Sequence, residues 1–331
     1  MVRELQTQRL ISALVAHDAD PRRLPLRRAG TVTLTGVLLA ALATGLLAGY
    51  GMLTGAGLAS PTDPSAILLD RGTGARYVYL ESDARLHPIL NYTSGLLLVG
   101  PSVKAVAPGK LAKVPLGTTL GIADAPESLP AGLLADAWTV CTDRAGHGTL
   151  LVGTVPAGAP LTGRALLVRD PAGRTFLVRD GRRFQLPAGG AGRTPSPVAA
   201  AWIDAVPAGP DLTAVPSTAE TADFAVRACV TRPMNEPATI RLDVAVPEGT
   251  TPTGQTRIDA VHVPRGKGAV VTATTGAVHL VTDDGRGFPL ASAELLPRLG
   301  YPDVKPVTVP AEVLALLPAG PLLDPEVAGR H

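Results

Sequence analysis

The 331 residues carry a formal net charge of +2, with only 3% aromatic side chains and with 36 Gly and 32 Pro. A near-neutral chain lacks the concentrated basic surface that nucleic acid demands, and so few rings leave little stacking surface for bases or sugars. The turn formers favour strands and short elements over long helices, and the length is enough for one large core or several small ones.

The first thirty residues are basic: Arg3, Arg9, Arg22, Arg23, Arg27 and Arg28 stand against Glu4, Asp18 and Asp20. Within them Leu10, Ile11, Leu14 and Val15 place an apolar stripe on a short helix, read as a docking face for a cytosolic or membrane partner, with a lipid surface as the alternative. No charge occurs from Ala29 to Thr62. At about 1.5 Å per residue the apolar run Val32 to Leu53 reaches roughly 33 Å, which matches a hydrocarbon core of about 30 Å and predicts one membrane-spanning helix. Arg22, Arg23, Arg27 and Arg28 precede it and the first charge after it is Asp63, so the N-terminus is expected in the cytoplasm and the rest outside. The same arginines suit anionic headgroups of the membrane lipid. Gly45 and Gly49 form a Gly-x-x-x-Gly spacing that would let helices pack closely in the span, although such spacings also arise by chance where glycine is abundant. A cleaved leader is the competing reading, because Gly57-Leu58-Ala59 before Ser60 resembles a small-residue cleavage site. The long charged leader and the length of the apolar run favour a retained anchor.

Beyond the span the chain repeats itself. Val198 to Leu212 aligns without gaps on Val309 to Leu323, each a short amphipathic helix stopped by Pro-Ala-Gly-Pro. A candidate hairpin precedes each, Ala165 to Pro187 and Val270 to Leu290, with tight turns expected at Asp180-Gly181 and Asp284-Gly285. A looser third copy begins at Arg76 to Leu90. Material of another pattern, Ala135 to Val155 and Asp223 to Val246, contributes Cys141 and Cys229. Outside the membrane an even number of thiols tends to pair, which would join these pieces into a central module; two buried free thiols are the alternative. Units that cannot bury their own apolar faces need neighbours, so an elongated array is expected.

Signs of chemistry are sparse. The nearest approach to a phosphate loop, Gly266-Lys267, is followed by Gly268 rather than Ser or Thr. His17, His87, His147, His262, His279 and His331 include no i, i+4 pair, and no Gly-x-Ser-x-Gly elbow occurs. His87 reads as a strand-end residue. The acidic pairs Asp283-Asp284 and Asp18/Asp20 read as a solvated turn and juxtamembrane charge. No cofactor, metal site or catalytic group is expected.

Gln6 to Val15, Asp18 to Arg28, Arg85-Leu-His-Pro-Ile-Leu-Asn91, Leu120 to Pro126, Leu299-Gly-Tyr301 and Pro318-Ala-Gly-Pro321 together resemble the EccB family, the single-span membrane component of type VII (ESX) secretion systems. The match runs over nearly the whole chain, and Cys141 and Cys229 fall where the family carries its two cysteines. The resemblance implies assembly with an EccC-type ATPase, with EccD- and EccE-type membrane subunits and with other EccB copies, to export WXG100-type proteins. This sequence looks shorter than the family's usual length, with one repeat reduced or lost.

The expected fold is therefore α+β and strand-rich, with a single N-terminal transmembrane helix followed by an elongated extracytoplasmic region, a central domain flanked by small β-hairpin/helix repeats. Its parts are residues 1–30 (cytoplasmic), 31–55 (transmembrane), 56–130 (first repeat region), 131–164 and 216–264 (central domain), 165–215 (second repeat) and 265–331 (C-terminal repeat). The expected function is a non-catalytic structural subunit of a type VII secretion complex in the cell membrane. A membrane-anchored cell-wall-binding module and an anchored ATPase or other hydrolase are the alternatives.

Overall fold

The structure, a computed structural model, describes residues 25–54, 59–135, 137–189, 192–217, 219–232, 238–254 and 257–330, and within 25–54 the side chains of 32–47 only. The chain divides into two units, 1–59 and 60–331. In the first, helix α1 runs Pro25–Thr54. Val32, Leu34, Val37, Leu38, Leu39, Leu42, Leu46 and Leu47 along it are all more than half exposed. Among the described residues no helix is long and apolar enough to cross a membrane.

The second unit is strand-rich, and one topology recurs in it three times. In the first repeat Ile67–Asp70, Arg76–Leu80 and Arg85–Pro88 form an antiparallel meander. Helix α2, Tyr92–Val99, follows, and Val103–Val106 returns parallel to the first strand before the short helix α3, Pro108–Leu111. Asn91 starts α2: its side-chain oxygen accepts from Ser94 N at 2.9 Å, while its amide nitrogen donates to Ile122 O at 2.7 Å. In the second repeat Ala165–Arg169, Thr175–Arg179 and Arg182–Leu186 form the meander, Ser196–Pro197 is the parallel strand, and α4, Ala200–Ala205, is the helix. In the third the strands are Lys267–Ala273, Val278–Val281 and Gly287–Pro289. A 3₁₀ turn at Ala293–Leu295 precedes the parallel strand Val307–Val309 and helix α5, Ala311–Leu314. Helix α6, Pro325–Ala328, packs against α2 of the first repeat.

A seven-stranded sheet takes its strands from two separate stretches, Thr139–Asp143, Gly148–Leu151 and Ala159–Pro160, then Arg227–Thr231, Thr239–Leu242, Thr251–Pro252 and Ala260–His262. Thr139–Asp143 and Arg227–Thr231 are antiparallel neighbours, and Cys141 faces Cys229 across them. The two form a disulfide, buried at 0% and 1% exposure, and two rungs away Thr139 and Thr231 share a hydroxyl hydrogen bond of 2.8 Å. A side chain bridged across adjacent strands needs both Cβ atoms on one face, which this register supplies.

Two large cores hold the unit. One joins the seven-stranded sheet (Trp138, Val140, Val230), the second repeat (Val168, Phe176, Trp202) and one face of the third (Val271, Val309, Leu314). The other joins the first repeat (Ile67, Leu96, Leu97) to the opposite face of the third (Leu280, Phe288, Leu295). The third repeat is thus buried on both faces, with neighbours remote from it in sequence.

The turns divide. Asp180 and Gly181 both have positive φ, 52° and 70°, as a two-residue hairpin turn requires. At the other expected tight turn only Gly285 does, at 79°. There the Asp284 carboxylate accepts from the Thr282 hydroxyl and the Arg286 amide, and Gly285 N donates to Thr282 O at 3.0 Å, which makes a longer side-chain-bonded loop.

Candidate functional site: the contact faces of the repeats

The outer edge of each repeat's third strand is closed the same way. A Pro-x-Gly segment after the short helix runs parallel to that strand: Pro115-Leu116-Gly117, Pro207-Ala208-Gly209 and Pro318-Ala319-Gly320. In the third repeat Gly287 N donates to Pro318 O (3.0 Å), Gly320 N to Gly287 O (2.8 Å) and Leu323 N to Pro289 O (2.8 Å). The same three bonds recur at Leu86, Gly117 and Leu120 (2.9, 2.8 and 2.9 Å) and at Arg183, Gly209 and Leu212 (2.8, 2.7 and 2.9 Å). Each bond satisfies a backbone group that an open strand edge would leave exposed.

A ring lies against each of these glycines. A Cβ on Gly117, Gly209 or Gly320 would come within 2.2 Å of His87, 2.4 Å of Phe184 or 2.2 Å of Phe288. Only glycine lets the segment approach this closely. His87, buried, is further tied by ring nitrogens to Thr118 O (2.8 Å) and to the Asp83 carboxylate (3.0 Å). Each ring stands opposite an aliphatic residue of the middle strand: Val78 with His87, Leu177 with Phe184, Leu280 with Phe288.

These clasps escaped the sequence reading, which took the Pro-Ala-Gly-Pro corners only as helix stops. Their trace was the recurrence of Pro-x-Gly at 115, 207 and 318, with His87, Phe184 and Phe288 standing 30, 25 and 32 residues before the respective glycines. Of the residues singled out from sequence, Cys141 and Cys229 are brought together. Gly45 lies in α1 with nothing within 4 Å of a Cβ placed on it. Arg27, Arg28 and Gly49 belong to the backbone of α1, while Leu10, Ile11, Leu14, Val15, Arg22 and Arg23 lie outside the described residues. Among the described residues no group of His, Cys, Asp and Glu is arranged to hold a metal ion.

A cavity of about 350 Å³ lies between the seven-stranded sheet and the third repeat, lined by Trp138, Val140, Val230, Val309 and Val313. Arg232 stands at it, ion-paired to Glu312 at 3.1 Å. Among the titratable groups, burial pushes the Tyr301 hydroxyl up to about 12, and that hydroxyl donates to Pro130 O at 2.7 Å. The hydrogen bond from Lys104, 2.6 Å away, holds the Asp63 carboxyl down to about 2. Burial lowers His262 and His279 below the ordinary histidine range. Tyr301 and Asp63 are held by different partners, Pro130 and Lys104.

Comparison with known proteins gives the arrangement a family. The model described as "Type VII secretion system ESX-1, transport TM domain B" matches residues 4–231 and 215–331. The ESX-3 secretion system ATPase EccB3 of Mycolicibacterium smegmatis is 34% identical over 234 residues, covering 62% of this chain and 44% of that protein. EccB3 of Mycobacterium tuberculosis is 32% identical over 253 residues, covering 67% and 46%. The chain thus spans less than half the length of these curated relatives. Among solved structures, the EccB3 dimer from the ESX-3 core complex superposes with a TM-score of 0.67 at 21% identity, over 80% of this chain and 99% of that one. A chain of the intact ESX-5 inner membrane complex superposes at 0.68 and 19% identity, over 99% and 94%. The solved structures share the fold, and the family match extends from residue 4 to residue 331: the chain belongs to the EccB family of type VII secretion systems.

Proposed function

We propose that the chain is a non-catalytic structural subunit of a type VII secretion complex in the cell membrane, crossing it once with the N-terminus in the cytoplasm. In this reading it assembles with an EccC-type ATPase, EccD- and EccE-type subunits and other copies of itself, and takes part in export of WXG100-type proteins. The family match over nearly the whole chain is the observation that carries it. The single span is supported by the charge-free run Ala29 to Thr62, by the arginines before it, and by the exposed Val and Leu side chains along α1. Arg22, Arg23, Arg27 and Arg28 set that orientation and meet anionic lipid headgroups. Gly45 and Gly49 pack the span against another helix, and Leu10, Ile11, Leu14 and Val15 dock a cytosolic or membrane partner. The division into cytoplasmic segment, span, three repeats and a two-part central domain is supported by the recurring meander, parallel strand and clasp, and by the sheet built from two stretches of chain.

The matched relatives carry the word ATPase in their names. The non-catalytic reading rests on a sequence without a phosphate-binding Gly-x-x-x-x-Gly-Lys-Ser/Thr loop, and on repeats whose shared devices close edges and bury faces. Co-purification of the full-length chain from its own membranes is the deciding experiment. An EccC-type ATPase should come with it in stoichiometric amount, and a chain that emerges alone as a monomer in mild detergent refutes the proposal. ATP turnover by the purified chain, abolished by one of its own substitutions, would refute the non-catalytic part.

A further inference from the structure

The cavity beside Trp138 is built on one face of the seven-stranded sheet. Side chains alternate across a strand, so Trp138 and Val140 share a face, as do Val230 and Arg232 on the neighbouring strand and its continuation. Val140 pairs with Val230, which puts all four on the same side, while the Cys141–Cys229 bridge lies on the other. Facing them are Val309 of the third repeat's parallel strand and Val313 of α5, and Ala205 at the end of α4 adds a wall from the second repeat. Three parts of the chain that are remote in sequence therefore meet around one cavity.

Its size and its walls restrict what it takes. About 350 Å³ falls at the lower end of the range for small-molecule sites. Walls of valine, alanine and tryptophan offer a water molecule few of the hydrogen-bond partners it needs, and suit hydrocarbon instead. Among the described lining residues Arg232 is the one that carries a charge. It gives Glu312 of α5 a hydrogen bond of 3.1 Å, and a guanidinium forks several N–H donors, so donors remain for an acceptor on the ligand. Glu312 already balances the arginine, and a carboxylate on the ligand would stand beside it as a like charge. A hydroxyl answers both ends of the pair, accepting from Arg232 and donating to Glu312.

We infer that this cavity is a binding site for a small aliphatic alcohol, its hydrocarbon between Val140, Val230, Val309 and Val313 and its hydroxyl on the Arg232–Glu312 pair. Such a ligand touches the central sheet, the second repeat and the third at once, and so stabilises the arrangement of all three. The site goes beyond the proposed function and does not depend on it: co-purification with the ATPase bears on that proposal alone.

Trp138 reports occupancy directly. It is one of 2 tryptophans, so Trp202→Phe leaves it as the sole indole. In the full-length chain in mild detergent, ω-bromohexanol, whose bromine quenches an indole on contact, should quench Trp138 emission saturably. Bromohexane and ω-bromohexanoate, at matched free concentration, should bind about three to ten times more weakly, the first for want of a hydroxyl and the second for its charge. Arg232→Met keeps the aliphatic stem and should remove the advantage of the alcohol over the alkane. Val230→Phe puts a ring into the cavity from the sheet and should abolish saturable quenching while still unfolding cooperatively. Quenching that rises linearly without saturation, equal affinity for the three probes, or saturable quenching unchanged by Val230→Phe overturns the inference. The wild type gives a second reading that needs no substitution: its unfolding temperature should stand higher with ω-bromohexanol than with ω-bromohexanoate, and the absence of that difference overturns the inference as well.

Discussion

Replacing a clasp glycine by alanine probes the device that all three repeats share, and the structure ranks the outcomes in advance. A Cβ on Gly320 would lie 2.2, 2.3 and 2.9 Å from three carbons of the Phe288 ring. The ring is 1% exposed, stands opposite Leu280 and belongs to the core that joins the first and third repeats. Three backbone hydrogen bonds hold the segment to the strand, so neither side can withdraw without breaking one. Overpacking a site of this kind costs about 1–3 kcal/mol, and the double restraint places Gly320→Ala at the upper end. For a unit of this size that lowers the thermal midpoint by roughly 4–10 °C. A Cβ on Gly209 would clash comparably, at 2.4 Å from Phe184, but that ring is half-buried and can turn outward. Alanine also restricts the unfolded chain, which is worth about 0.4–1 kcal/mol, so Gly209→Ala should come out near neutral. Thermal and urea unfolding of the full-length chain in detergent measures both. A double-mutant cycle of Gly320→Ala with Phe288→Ala should show a coupling of about 1 kcal/mol or more, since removing the ring removes the clash. Equal costs at Gly209 and Gly320, or strict additivity in the cycle, would refute the clasp as the source of the constraint.

Three further outcomes follow from the same geometry. The Cys141–Cys229 bridge closes a span of 88 residues and is buried, so Cys141→Ala/Cys229→Ala should lose about 4–5 kcal/mol by the loop-entropy estimate, read as a lower urea midpoint, and the native bridge should resist reductant until denaturant is added. Tyr301 titrates at about 12 in the fold against an ordinary 10.0, so its contribution is intact below pH 10 and is lost as pH rises from about 10 to 12; unfolding across that window should show a fall of about 2–3 kcal/mol that Tyr301→Phe removes. His87→Phe should keep the first repeat's clasp, since Phe stands there in the other two, but should cost about 1–3 kcal/mol for the Asp83 and Thr118 contacts it gives up, visible as a lower thermal midpoint.

Local signals carried a good part of this architecture. The Asp180-Gly181 turn, the two hairpins, the short helices before Pro-Ala-Gly and the pairing of Cys141 with Cys229 all rest on neighbouring residues or on a count of thiols. The parallel strands Val103–Val106, Ser196–Pro197 and Val307–Val309 were not legible, because so few residues cannot display a period and their register depends on a strand distant in the chain. The closure of the first repeat on the third was hidden for the same reason, since Leu97 and Leu295 meet only through tertiary packing. Asn91 could be quoted as part of a motif, yet its work, starting α2 and holding Ile122 O, needs the fold to be seen.

Closing the strand edges also decides what kind of contact the repeats can make. A small meander with an open third strand would recruit any extended segment through its unpaired amides and carbonyls, and several such units in one chain would invite mispairing. The Pro-x-Gly clasp removes that edge in each repeat, and the large apolar clusters join repeats face against face. Faces discriminate where edges do not, because their fit depends on side chains: Ile67 and Leu97 in one repeat, Phe288 and Leu323 in another, gathered in one buried cluster with Ala328 of α6.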